Sequence, residues 1–261
     1  MSIKKYIEQK NYTGEKVLSI FLTAGFPDKE KFLKVAEGII LSGCDILELG
    51  IPFSDPLADG PIIQYSSAQA IKNGANADFT FEVSKYLKSK YEIPIIAMCY
   101  ANTIVSYQEQ KFFHRCLKDG IDGVIVPDVP LEESEDFFSD CDEQIQKILL
   151  CSPTSTEDRI KKIDEKSQGF VYCVSVTGVT GERNKYEIQT IEKIKLMRKN
   201  IKKNKMLIGF GVSGPESIQT VKDLCDGVIV GSSIIKKIIN SDGNYEAVFS
   251  FVKQLKRACK E

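Results

Sequence analysis

The sequence predicts an α/β protein folded as one eight-stranded (β/α)8 TIM barrel. Short runs rich in Val, Ile and Leu alternate with longer segments of helical period along the whole chain. Eight such units in 261 residues match the usual size of one barrel. We therefore expect residues 1–261 to form a single domain. A doubly wound open sheet is the alternative, but its fingerprint G-x-G-x-x-G is missing after the first strand.

The predicted strands follow one another at similar intervals, except that the gap between the second and the third is much longer. We place them at Val17–Thr23, Ile46–Gly50, Ile95–Tyr100, Gly123–Val126, Ile148–Cys151, Phe170–Val174, Met206–Gly209 and Gly227–Val230. The long gap predicts an inserted segment after strand 2. An extra N-terminal helix over Ile3–Lys10 is expected at the floor of the barrel, and Gly43, Gly74 and Gly120 stand where left-handed residues end helices.

The composition excludes several classes of protein. The 35 Lys and Arg against 36 Asp and Glu leave no basic stripe for nucleic acid. No apolar run approaches the roughly 20 residues that cross a bilayer, and the N-terminal residues do not resemble a secretory leader. The eight cysteines are scattered along the chain, which predicts buried thiols in a reducing compartment rather than disulfides. We expect a cytoplasmic protein, or one of the plastid stroma if the gene is organellar.

The chain has a single histidine, so acid–base chemistry must fall mainly to other side chains. His114 belongs to an amphipathic helix and is predicted to be structural. Glu48 stands in the otherwise apolar strand Ile46–Gly50, where period-two alternation turns it into the barrel. An internal ion pair is the structural explanation; because no obvious cation faces it, we favour an acid–base group with a raised pKa.

The inserted segment opens with the loop Pro52–Pro61, which carries Asp55 and Asp59 at the mouth of the barrel. Asp beside Gly and Pro is commonly a turn former. Here the loop overhangs the rim near Glu48, so the two carboxyl groups could hold different protonation states and divide acid and base work.

Glycine-rich junctions follow the last two strands, around Gly209–Gly214 and Gly231–Ser233. Barrels commonly bind a phosphate there through backbone N–H groups and a helix N-terminus. Tyr100 and Tyr172 can face inward, and Phe21 and Phe210 would add apolar walls, which favours an aromatic ligand with a phosphate tail. The loop Thr177–Gly181 is a candidate lid or a plain mobile loop.

These motifs together resemble the tryptophan synthase α subunit family. The stretch Glu48–Pro61 is similar to that family's signature almost without change. Further similarities span the chain, at Tyr100–Asn102, Val126–Pro130, Gly178–Gly181, Gly209–Gly211 and Gly231–Ser232.

The resemblance implies a retro-aldol cleavage of indole-3-glycerol phosphate to indole and glyceraldehyde 3-phosphate. Glu48 would protonate indole C3 and handle the hydroxyl proton, and Asp59 would stabilise the charge at the indole N–H. Thr180 would hold Asp59 when the loop closes. The implied pocket residues are Phe21, Ile63, Tyr100, Tyr172 and Phe210, and the implied phosphate ligands are Gly181, Gly211, Gly231 and Ser232.

The resemblance also implies that the chain needs no cofactor, because pyridoxal phosphate belongs to a β subunit. That partner would form an α2β2 heterotetramer, dock at Asp55–Pro56 and near Asp128–Pro130, and receive indole. A stand-alone lyase that releases free indole remains the alternative. A catalytically silent regulator and a phosphosugar isomerase fit less well, since Glu48 and Asp59 are present and His114 lies away from the rim.

Overall fold

The barrel is built from nine parallel strands that form one sheet in the order β5-β4-β3-β2-β1-β9-β8-β7-β6 within the described residues. The computed structural model describes residues 1–174, 183–209 and 211–260, apart from the side chains of 183–189. The strands are β1 Val17–Thr23, β2 Ile46–Gly50, β3 Ile95–Met98, β4 Gly123–Ile125, β5 Gln146–Ile148, β6 Leu150–Cys151, β7 Phe170–Val174, β8 Lys205–Gly209 and β9 Gly227–Val230.

Helices alternate with the strands and cover the outside of the barrel. They are α1 Ile3–Tyr12, α2 Lys29–Leu41, α3 Pro61–Lys72, α4 Ala77–Lys88, α5 Ala101–Tyr107, α6 Glu109–Lys118, α7 Ser134–Phe137, α8 Glu157–Lys166, α9 Arg183–Asn200, α10 Pro215–Val221, α11 Ser232–Ile239 and α12 Glu246–Ala258. The barrel predicted from the alternation of strands and helices is confirmed.

The fifth predicted strand, Ile148–Cys151, differs from the prediction because it is two short strands separated at Leu149. The Leu149 amide donates to Ser167 Oγ at 3.1 Å rather than to a neighbouring strand. The Leu149 carbonyl accepts from the Tyr172 amide at 3.0 Å. Since β5 and β6 are the two outer strands of the sheet and follow each other in the chain, the break lies where the ring closes.

The inserted segment lies where the long gap predicts it. Two helices, α3 and α4, stand between β2 and β3. Helix α3 begins with Pro61 directly after Gly60, a position where the missing N–H of proline costs nothing because the first helical amides have no partner within the helix. The loop 51–60 joins the C-terminal end of β2 to this helix.

The N-terminal helix closes the opposite end of the barrel. It extends two residues beyond the predicted Ile3–Lys10, and the Ile3 amide donates to Gln146 Oε1 at 2.9 Å. A Cβ added to Gly123 would lie 2.9 Å from Ile3 Cδ1, so the side chain of Ile3 packs against the start of β4. Helix α1 therefore packs against the N-terminal ends of β4 and β5.

Three smaller predictions agree with the structure. Gly43, Gly74 and Gly120 have φ values of 110°, 74° and 82° after helices α2, α3 and α6. All eight cysteines are buried and unpaired. Within the described residues, no helix combines the length and the apolar character that crossing a membrane requires.

Candidate active site

A cavity of about 310 Å³ opens at the C-terminal end of the strands. Its wall includes side chains from β1, β3, β7 and β9 and the loops that follow β2, β8 and β9. The lining combines aromatic and apolar side chains with small residues at the start of helix α11, where Gly231 lies next to Phe21. The sequence-predicted residues on this wall are Phe21, Asp59, Ile63, Tyr172, Gly211, Gly231 and Ser232.

Glu48 lies at the centre of β2 and is completely buried. It pairs in register with Phe21 of β1 and Ile96 of β3. The Ser19 hydroxyl donates to Glu48 Oε1 at 2.6 Å. Burial raises the pKa of the Tyr172 phenol on β7, across the ring, and the negative charge that Glu48 carries when ionised acts in the same direction. The carboxyl group therefore projects into the barrel interior.

The surroundings of Glu48 disfavour the ionised form of its carboxyl group. Burial raises its pKa from 4.5 to about 7, and the hydrogen bond from Ser19 acts in the opposite direction. Glu48 Oε2 has no hydrogen-bond partner, and no cation contributes to the shift, among the residues that the structure describes. The internal ion pair considered from the sequence is not seen there.

Glu48 does not itself line the cavity. Phe21, which does line the cavity, is its register partner on the neighbouring strand β1. The hydroxyl that donates to the Glu48 carboxyl group belongs to Ser19, two residues before Phe21 in β1.

Asp59 lies on the cavity wall and comes from the loop after β2. The Tyr100 hydroxyl donates to Asp59 Oδ2 at 2.8 Å, and the Ala58 amide donates to the same Tyr100 oxygen at 3.1 Å. Burial raises the pKa of the Asp59 carboxyl, and the hydrogen bond from Tyr100 opposes that rise. Tyr100 thus orients Asp59 and borders a narrower recess of the cavity, which Asp59 also lines.

Two glycines give the aromatic residues their room. A Cβ on Gly50 would lie 2.4 Å from Phe21 Cζ, and a Cβ on Gly209 would lie 2.4 Å from the Tyr172 hydroxyl oxygen. Real Cβ atoms do not approach other atoms so closely, so each ring can lie across the barrel only because the neighbouring strand has no side chain there.

The start of helix α11 contributes backbone amides to the cavity wall. Gly231 precedes helix α11, whose first residues are Ser232 and Ser233. The first amides of a helix have no acceptor within it and favour an anion. The amides of Ser213 and Gly214, by contrast, already donate to Ser217 Oγ at 3.0 and 3.1 Å. The start of α11, with Gly211 beside it, is the part of the wall best suited to a phosphate.

Some predicted residues lie outside the described residues. They are Thr180 and Gly181, with the rest of the loop Thr177–Gly181, and Phe210. His114 is exposed on helix α6 and does not line the cavity. The described residues hold no group of three or more His, Cys, Asp or Glu side chains arranged to bind a metal ion.

Sequence reasoning missed several residues that shape the site. Ser19 is the partner of Glu48, and its position in the apolar strand Val17–Thr23, two residues before Phe21, was a usable signal. Phe53 stacks on Tyr100 with ring centroids 5.1 Å apart, and Met98 and Ile229 line the cavity. Apolar residues of this kind cannot be told from ordinary core residues by pattern alone.

Comparison with known proteins identifies relatives along the whole chain. The profile of the family described as "Tryptophan synthase alpha chain" matches residues 7–261. A tryptophan synthase alpha chain from Thermoanaerobacter sp. (strain X514) is 42% identical over 258 residues, which cover 97% of this chain and 98% of the relative.

Solved structures show the same similarity. A chain from Aquifex aeolicus VF5 superposes with a TM-score of 0.91 at 35% identity, covering 100% of both chains. Tryptophan synthase subunit alpha from Legionella pneumophila superposes with a TM-score of 0.88 at 31% identity, covering 99% of this chain and 98% of the other.

Proposed function

Because the chain belongs to the tryptophan synthase alpha chain family, whose members are lyases that cleave indole-3-glycerol phosphate in tryptophan biosynthesis, we propose that Glu48 and Asp59 are its catalytic residues. The observation that carries this proposal is the buried Glu48 carboxyl group, which has a pKa of about 7 and no cation among the described residues. A group that titrates near neutral pH can both give and take a proton in one turnover.

The shape of the cavity suggests how the substrate binds. The indole ring would lie between Phe21, Ile63 and Tyr172, with its N–H directed to Asp59. The phosphate would accept hydrogen bonds from the amides of Gly211, Gly231 and Ser232 and from the Ser232 hydroxyl. By resemblance, Phe210 would extend the apolar wall, Gly181 would add a phosphate contact, and Thr180 would hold Asp59.

The proposed reaction moves two protons through Glu48, one given to the substrate and one taken from it. Protonated Glu48, turned away from Ser19, gives its proton to C3 of the indole ring. The positive charge that results at the ring nitrogen is stabilised by the Asp59 carboxylate. The Glu48 carboxylate then takes the proton of the side-chain hydroxyl. The O–H electron pair forms the aldehyde C=O bond, the C–C pair returns to the ring, and indole and glyceraldehyde 3-phosphate are released.

The proposed reaction needs no cofactor bound to this chain. The tautomerised ring accepts the electrons, a role that a Schiff-base lysine or a metal ion has in aldolases. We therefore assign pyridoxal phosphate to the β partner alone. The buried, unpaired thiols support a cytoplasmic location.

An alpha chain is by name one subunit of tryptophan synthase, which implies a β partner. We assign its docking surface to the loops at Asp55–Pro56 and Asp128–Pro130, in an α2β2 assembly to which indole is passed. Leu57 supports this assignment, because its side chain is 91% exposed at the tip of the loop beside Asp55. A large apolar side chain in that position suits a protein contact.

The test of the catalytic assignment is Glu48→Gln, with Glu133→Gln as a matched change at an exposed carboxylate. Release of indole is measured with the isolated chain and again with β subunit added. We expect Glu48→Gln to abolish cleavage while binding of a substrate analogue changes only a few-fold. Near-normal turnover would remove Glu48 from the mechanism.

The same assays distinguish the alternatives. Cleavage by the isolated wild-type chain argues against a silent regulator. If titration with β subunit leaves the rate unchanged, the stand-alone lyase is favoured over a docked subunit.

A further inference from the structure

Tyr100 joins the loop after β2 to the end of β3. Its ring stacks on Phe53 with an interplanar angle of 20°, its hydroxyl donates to Asp59, and the Ala58 amide donates to that hydroxyl. All three partners belong to the loop that carries Asp59. The placement of the Tyr100 ring therefore sets the placement of the Asp59 carboxyl group.

The backbone of Tyr100 is in turn fixed from a third loop. Tyr100 is the N-cap of α5, but its side chain makes no capping bond because it points towards Asp59. Both oxygens of Asp128, in the loop after β4, accept from the Ala101 amide at 2.9 and 3.2 Å. A carboxylate from another loop thus replaces the missing cap, and its negative charge suits a helix N-terminus.

We propose that Asp128 is a positioning residue for Asp59, acting through the Ala101 amide and the Tyr100 ring. The inference rests on the catalytic role proposed for Asp59. Asp128 is exposed, and its only hydrogen bonds among the described residues are those to Ala101. Its removal costs little burial energy, but it leaves the residue next to Tyr100 without an anchor.

The test is a double-mutant cycle on the full isolated chain with Asp128→Ala, Tyr100→Phe and the double variant. We expect Asp128→Ala to lower kcat about tenfold with little change in KM, because small displacements of a catalytic group reduce turnover more than binding. If Asp128 acts through Tyr100, the double variant should be no slower than Tyr100→Phe alone, within about twofold.

Two further variants separate positioning from a general structural effect. Asp128→Asn keeps an oxygen that can accept from Ala101 and should recover most of the lost kcat. Glu133→Ala removes a nearby exposed carboxylate and should match wild type. Thermal unfolding followed by circular dichroism checks that every variant is folded.

The proposal would be overturned if the fold-losses of kcat in the two single variants multiply in the double variant. It would also be overturned if Asp128→Asn is as slow as Asp128→Ala. Asp59→Asn distinguishes this failure from failure of the proposed function. Normal turnover in Asp59→Asn removes Asp59 from catalysis. Loss of turnover in Asp59→Asn combined with independent effects of Asp128 and Tyr100 refutes the positioning alone.

Discussion

Replacing Glu48 by Gln should raise the free energy of unfolding, relative to wild type, more at alkaline pH than at acid pH. The carboxyl group has a pKa of about 7 in the folded chain and 4.5 when unperturbed. Above pH 4.5 the unfolded chain releases this proton while the folded chain retains it, so wild-type stability falls as the pH rises and levels off above pH 7. The full loss is about 3 kcal/mol.

Gln cannot ionise, so the variant lacks this dependence on pH. Its amide oxygen can still accept from Ser19, whereas its NH₂ group meets the same unpartnered environment as Glu48 Oε2. That second effect does not depend on pH. Between about pH 5 and about pH 8.5, we therefore expect the stability of the variant relative to wild type to rise by about 2 to 3 kcal/mol.

Urea unfolding of both proteins at the two pH values measures this difference. Glu143→Gln, which removes an exposed carboxylate, serves as the control and should follow wild type. If Glu48→Gln and wild type show the same pH dependence, burial does not raise the pKa of the Glu48 carboxyl group. The physical basis for its acid–base role would then be lost.

Three further outcomes are expected. Asp59→Asn keeps the size of the side chain but removes the negative charge that we propose faces the indole N–H, so kcat should fall at least a hundredfold. A smaller change argues against charge stabilisation. Ser232→Ala should raise KM about tenfold, as expected for a lost hydrogen bond to a charged group, and inorganic phosphate should inhibit it less than wild type. Asp164→Ala should lower the unfolding free energy by about 3 kcal/mol with normal kcat, because buried Asp164 accepts from the amides of Lys202, Lys203 and Asn204 at 2.6, 2.7 and 2.9 Å. An unchanged urea midpoint would contradict this last expectation.

The barrel could be predicted from the sequence because its pattern depends on local periodicity. Strand β2 is the clearest case, since successive side chains of a strand point to opposite faces and a single polar residue, Glu48, stands in an apolar run. The break at Leu149 could not be predicted, because it depends on a hydrogen bond from the Leu149 amide to Ser167, eighteen residues away. Local patterns carry no information on such a partner.

Site residues could be predicted from the sequence where their chemical type or position differs from what the neighbouring residues lead one to expect. Glu48 in an apolar strand and Asp59 in a polar loop stand out, whereas the link between Asp59 and Tyr100 requires two loops to meet in space. Ser19 and Asp128 are common residue types in ordinary positions. Only their bonds to Glu48 and to Ala101 show what they do.

Gly50 and Gly209 affect the size of the cavity and not the groups that react in it. Neither carries a reacting group, yet each allows a large ring from an adjacent strand to define the width of the chamber. Paired exchanges, in which one of these positions gains a methyl group while the opposing ring is trimmed, would remodel the accepted ligand and leave both acids in place. Acceptance of substituted indoles can therefore be altered at two glycine–ring pairs without changing Glu48 or Asp59.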